Sequence, residues 1–219
     1  MTNEASVQGA IDKTVATFGC IDVVLNNAGY ALAGAVEESS TEEAKKLFDI
    51  DFFAVHTVMR CVLPHMRAQH SGYIINIASI AAAHASIGLA LYGAAKAAVV
   101  GMTTTFVDET AHLGIKATCV CPGPFATSIQ KEGSPRCAAS IDDYDVVHKH
   151  LDKILETQYP GDPEKAAKVF LSLAETENPP LILYLGPNAV GRAKAHHTQV
   201  LKDIAAWEAV ACGTDLDTL

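Results

Sequence analysis

Tyr73-Ile74-Ile75-Asn76-Ile77-Ala78-Ser79, followed thirteen residues after the serine by Tyr92-Gly93-Ala94-Ala95-Lys96, decides how this chain is read. The first stretch is a continuous apolar run of strand length, the signature of a parallel strand covered on both faces. Ser79 then stands at the strand's carboxyl end, where open α/β sheets bind their ligands. The second stretch predicts a helix, in which Tyr92 and Lys96, four apart, share one face. An ammonium beside a phenol favours tyrosinate, so the pairing predicts a phenol pKa drawn down from about 10 toward acid–base use. Serine, tyrosine and lysine together can bind a carbonyl oxygen and pass it a proton.

The surrounding chain is patterned as one domain, 1–219. Residues 4–18 predict an amphipathic helix capped by Asn3, with Val7, Ile11, Val15 and Phe18 as its buried stripe. A strand at 21–26 runs into Asn26-Asn27-Ala28-Gly29. Ser40-Thr41-Glu42-Glu43 is a capping box opening a helix to about residue 70, which Pro64 is expected to kink. Strand 116–121 leads to Pro122-Gly123-Pro124-Phe125-Ala126-Thr127. Asp162-Pro163 starts a further helix, 181–185 reads as the last strand, and 195–211 as a terminal helix.

Composition narrows the function classes. A net charge of −9 with scattered lysines and arginines excludes a basic nucleic-acid surface. No uninterrupted run of 18 apolar residues and no basic-then-apolar leader is present, so no membrane partner and a cytoplasmic location are expected. The six cysteines fall in no Cys-x-x-Cys pair and read as reduced thiols. His148-Lys149-His150 and His196-His197 lack carboxylate or thiol partners at metal spacing and read as surface histidines, with no metal site. His84 is placed as a pocket-lining candidate.

Asn26-Asn27-Ala28-Gly29, Ser79, Tyr92-x-x-x-Lys96 and Pro122-Gly-x-x-x-Thr127, in this order, resemble the short-chain dehydrogenase/reductase family. The resemblance implies an α/β, doubly wound parallel-sheet (Rossmann-type) fold, a nicotinamide cofactor (NAD or NADP), and hydride transfer between a carbonyl and an alcohol in a small-molecule substrate. It assigns Tyr92 to proton exchange, Ser79 to holding the substrate oxygen, and Lys96 to the phenol and the nicotinamide ribose. Asn27, Ala28, Gly29, Pro122, Gly123 and Thr127 become cofactor-side residues, with Tyr92 and Lys96. Residues 124–160 take the place of the substrate lid, and the helices at 41–70 and 86–112 imply a homodimer or homotetramer.

Two departures stand out. No G-x-G-x-x-G occurs, so the chain is expected to lack the first βαβ portion and to be N-terminally incomplete. Val23, Val24 and Leu25 would then lie on an exposed edge, with disorder around residues 1–30. The second departure is Asp51, where the family usually carries an asparagine completing the catalytic set; a carboxylate there is expected to compete for Lys96 and lower activity. Two non-catalytic alternatives remain at this point: a truncated remnant acting as an interaction partner, and a binder of a small ligand without turnover.

Overall fold

Four parallel strands carry the fold: β1 (Val23–Asn26), β2 (Gly72–Ile77), β3 (Ile115–Pro122) and β4 (Ile182–Leu185), in the spatial order β1-β2-β3-β4. The computed structural model describes residues 2–127, 134–157 and 159–215. Pairing is in register from Val23↔Tyr73 through Asn26↔Asn76, from Gly72↔Ile115 through Ile77↔Val120, and from Cys119↔Ile182 through Pro122↔Leu185. The helices are α1 (Glu4–Phe18), α2 (Thr41–Phe48), α3 (Ala54–Gln69), α4 (Ala90–Thr110), α5 (Asp145–Glu156), α6 (Pro163–Glu175) and α7 (Pro187–Ala211).

Helices cover both faces. On one, Val7 and Ile11 of α1, Val62 and Met66 of α3 and Val99 and Phe106 of α4 pack with Ile74 of β2 and Cys119 of β3. On the other, Tyr73, Ile75 and Val120 meet Leu173 of α6. This double coverage explains why β2 reads as an unbroken apolar run. By length and composition α4 could cross a membrane, but its Ala95, Val99 and Phe106 are buried in the protein core.

The N-terminus corrects the expectation of an incomplete, disordered start. Asn3 caps α1 by accepting from the Ser6 amide at 3.1 Å, and Gly19 closes it in the left-handed region at φ 84°. Val7 and Ile11 bury the helix against the core, and an Arg60–Glu4 ion pair ties it to α3. A capped, packed helix followed by a paired strand holds its own place, so α1 and β1 are formed and integral to the domain. β1 lies at one edge of the sheet, with Val23 and Leu25 exposed, and Phe18 projects into solvent instead of completing the stripe.

The capping box forms as read: Ser40 accepts from the Glu43 amide while Glu43 accepts from the Ser40 amide. The interruption in the long helix falls elsewhere than expected. Pro64 lies inside α3, whereas the regular ladder gives way to a π turn at Asp49–Phe53. Such widened turns are frequent at functional sites, and this one contains Asp51. Gly114 ends the α4 segment at φ 72°, where a β-carbon would stand 2.4 Å from the His70 carbonyl oxygen. The last helix starts at Pro187, eight residues before the expected start at 195; Gly186-Pro187 is a helix-start signal that the apolar periodicity obscured.

Candidate active site

The carboxyl ends of β1, β2 and β3 deliver the groups singled out in the sequence to one end of the sheet. Ser79 follows β2 and caps the short turn Ile80–Ala82, its hydroxyl accepting from the Ala81 amide at 3.1 Å. Its backbone amide faces the Cys121 thiol at the end of β3. Tyr92, one turn into α4, lies near enough to the Ser79 side chain for the serine to draw the phenol down. Lys96 lies one turn further on with its ammonium 5.8 Å from the centroid of the Tyr92 ring.

Lys96 is almost wholly enclosed. Its Nζ donates to the Ile77 carbonyl at 3.2 Å and faces Asp51 Oδ2 at 3.2 Å, with lysine and aspartate side chains 4% and 0% exposed. Asp51 Oδ1 accepts from the Tyr30 amide at 3.0 Å. Burial pushes the Asp51 carboxyl up, and the Lys96 charge and the Tyr30 amide partly offset it. The anticipated competition for Lys96 is therefore present as a direct ion pair.

The phenol departs from expectation. Burial pushes Tyr92 up to about 12; the Ser79 side chain pulls it down, and the Asp51 charge pushes it further up. The sequence pattern pointed the other way because a Tyr-x-x-x-Lys spacing reports neither the burial of the ring nor the carboxylate that holds the ammonium.

Gly29 closes the group from above. A β-carbon there would stand 2.9 Å from Lys96 Nζ and 3.1 Å from Asp51 Oδ2, so only glycine allows this approach without displacing the pair. Asn27 and Ala28 stand exposed on the rim. The steadying of this region falls to Asn26, which donates to Asn76 Oδ1 at 2.8 Å, while Asn76 donates to Thr103 Oγ1 at 2.9 Å. These three buried polar residues link β1, β2 and α4. Reading Asn76 as one more residue of an apolar strand had concealed them.

Pro122 ends β3, and the Gly123 amide donates to the Leu185 carbonyl at 3.0 Å. Gly123 lies against the start of α7, where a β-carbon would approach the Ala189 amide to 3.1 Å. Thr127 is exposed beyond it, its amide on the Phe125 carbonyl. Of the segment assigned to the lid, 128–133 and 158 lie outside the described residues. His84 belongs elsewhere: its carbonyl accepts from Arg192 and its ring lies 6.2 Å from that of His196. His148 is no surface histidine either, since its Nε2 lies 2.6 Å from the buried Glu38. Among the described residues no cluster could hold a metal ion.

A family model described as short chain dehydrogenase matches residues 1–137. The chain belongs to this family. A short-chain dehydrogenase of Streptomyces avermitilis shares 32% identity and superposes with a TM-score of 0.88, covering 98% of this chain and 79% of that one. An uncharacterized oxidoreductase of Schizosaccharomyces pombe is 31% identical over 81% of this chain and 75% of its own length. ElxO with NADP bound shares 30% identity at a TM-score of 0.70, covering 87% of this chain and 75% of that chain. The family match begins at residue 1 and takes in α1 and β1, which overturns the expectation of a short-chain dehydrogenase deprived of its N-terminal portion. The fold is Rossmann-type α/β and the short-chain dehydrogenase is an NAD(P)-dependent oxidoreductase, so the non-catalytic alternatives fall away.

A nicotinamide cofactor of this family would meet the carboxyl ends of the strands, where open α/β sheets bind ligands. The glycine approach over Lys96 and the exposed Asn27-Ala28 rim leave backbone and small side chains facing the crevice at the strand ends.

Proposed function

We propose that this enzyme interconverts a carbonyl and an alcohol through a relay of Ser79, Tyr92 and Lys96, with Asp51 controlling the charge available to it. The observation that carries the reading is an ammonium fixed between Asp51 and the Ile77 carbonyl, 5.8 Å from the centroid of the Tyr92 ring, with Ser79 near enough to draw the phenol down. The bound cofactor, NAD or NADP, supplies or accepts the hydride. In the reductive direction the substrate oxygen accepts hydrogen bonds from the Ser79 hydroxyl and the Tyr92 phenol. Tyr92 gives up its proton as charge develops on that oxygen, and the Lys96 cation stabilises the phenolate left behind. In the oxidative direction Tyr92 has to be deprotonated first.

Asp51 raises the pH at which this happens. Its negative charge disfavours tyrosinate, so Asp51→Asn is expected to lower the phenol pKa and move the rising limb of the oxidation profile to lower pH. Burial remains the larger cause; a shift of about one unit, or about a tenfold gain in oxidation rate near neutral pH, is expected. Profiles of alcohol oxidation across pH 6–10 check this, and superimposable curves for parent and variant would sink the role given to Asp51.

The same reading includes a cytoplasmic enzyme, supported by cysteines that are all unpaired, and a homodimer or homotetramer. Exposed apolar side chains on α7, Leu201, Ile204 and Trp207, support subunit contacts. Light scattering from the native particle tests this: a mass of 23.1 kDa, that of a single chain, would rule the oligomer out.

A further inference from the structure

We propose that Glu38 is a positioning residue that seats segment 134–157 over the site, with His148 as its partner on that segment. The inference rests on the catalytic reading above. Glu38 ends a short turn, Val36–Glu38, and its side chain is 1% exposed. Three groups converge on its carboxylate. The Ala35 amide donates to Oε2 at 2.8 Å, the Ile141 amide to Oε1 at 2.9 Å, and His148 Nε2 lies 2.6 Å from Oε1. Two of the three come from the segment, Ile141 just before α5 and His148 on it. The two amides hold the carboxyl below its usual range despite burial. Beside them lies a cavity of about 230 Å³ lined by Gly34, Glu38, Arg136, Cys137, Ser140 and His148.

Other contacts join the same two stretches. Ala33 bonds the segment through both of its backbone groups, donating to Pro135 at 2.8 Å and accepting from Cys137 at 2.9 Å. Tyr144 donates to Glu37, and the Ala138 amide to Glu43. Those side-chain contacts are exposed and weakened by solvent. Glu38 differs because its carboxylate is buried, so the bonds it makes to the segment are not weakened by solvent. The far side of the segment reaches the site. Leu151 of α5 fills the space over Gly88, two residues before α4 begins, where a β-carbon would meet it at 2.8 Å. Glu38 thus holds one edge of a cover whose other edge lies against the reacting end of α4.

Limited trypsin digestion tests this without any substrate, because Arg136, Lys149 and Lys153 offer cleavage sites within the segment. Glu38→Gln keeps the shape but only one acceptor oxygen, and cleavage at these sites is expected to accelerate at least about tenfold while cleavage after Lys45 and Lys46 is unchanged. Should Glu38→Gln fail to fold, His148→Leu removes a single donor from α5 and is expected to accelerate cleavage, with His148→Gln, which keeps an N–H donor, restoring protection. In steady-state assays with a carbonyl substrate the same variants are expected to raise KM about tenfold, with kcat within twofold and NADPH affinity unchanged. Parent-like cleavage in Glu38→Gln and His148→Leu would overturn the anchor, and faster cleavage with an unchanged KM would overturn the positioning role. Failure of the relay itself would show separately, as an active Tyr92→Phe enzyme whose segment still responds to these substitutions.

Discussion

Tyr92→Phe is expected to lose about 10²–10⁴-fold in turnover with nicotinamide binding intact, the loss characteristic of removing a positioned proton donor. The substitution deletes one oxygen, the group that Ser79 draws down, and leaves the ring where it is. Its packing beside Leu32, Leu47 and Ala95 is apolar and survives. The drop should therefore appear in kcat with little change in melting temperature. Consumption of NADPH or NADH with a panel of ketones and aldehydes, alongside cofactor titration by fluorescence, measures both quantities. A variant retaining more than about a tenth of the parent rate would remove Tyr92 from the relay.

Replacing Lys96 by methionine should be the most destabilising change at the site. Lys96 and Asp51 are each other's ionic partners in a region closed to water. Removing one member of such a pair leaves an uncompensated buried charge and costs about 3–5 kcal/mol. For a chain of this size that corresponds to a fall in melting temperature of about 6–20 °C. The loss has a pH signature. Burial already raises the folded-state pKa of Asp51 above its unfolded value, and loss of Lys96 removes the principal opposing influence. A folded state that holds a proton more tightly than the unfolded state loses stability as pH rises through that interval. The deficit should thus be larger at pH 8 than at pH 5. Adding Asp51→Asn to Lys96→Met removes the stranded charge and should recover a large part of the loss, a coupling measurable by calorimetry on the four proteins of the cycle. Additive losses would mean that the pair is not the source of the effect.

The two variants separate chemistry from architecture. Tyr92 touches the candidate reaction through one oxygen, whereas Lys96 joins β2, the π turn and the loop after β1. Gly29, Asp51 and Ile77 converge on it, and the Tyr30 amide holds Asp51. A lysine so used cannot be exchanged without disturbing the geometry on which the phenol depends. Activity loss in Lys96→Met would consequently carry both contributions, and only Tyr92→Phe reports the proton step alone.

Much of this arrangement was legible in the residues themselves. An apolar run of strand length ending in Ser79, a tyrosine and lysine one helical turn apart, and glycine-bearing turns after the first and third strands are local patterns, each enforced by backbone geometry. Their order identified the family, and the caps at Asn3, Ser40 and Asp162 formed as their side-chain chemistry requires. The reading failed where one missing pattern stood for a whole region. The lack of G-x-G-x-x-G predicts an incomplete start, but α1 and β1 are held by apolar contacts and strand pairing, which a glycine motif does not report.

Tertiary structure alone decided the rest, because burial and charge proximity depend on residues distant in sequence. Asp51 reaches Lys96 only after a π turn and a chain reversal have brought α4 beside it, and the resulting pair, with burial of the ring, sends the phenol pKa up instead of down. Glu38 and His148 are 110 positions apart, and nothing in the local pattern of either marks them as partners. Composition, motif order and local propensity determined which family this chain joins; folding determined which buried groups meet, and what covers them.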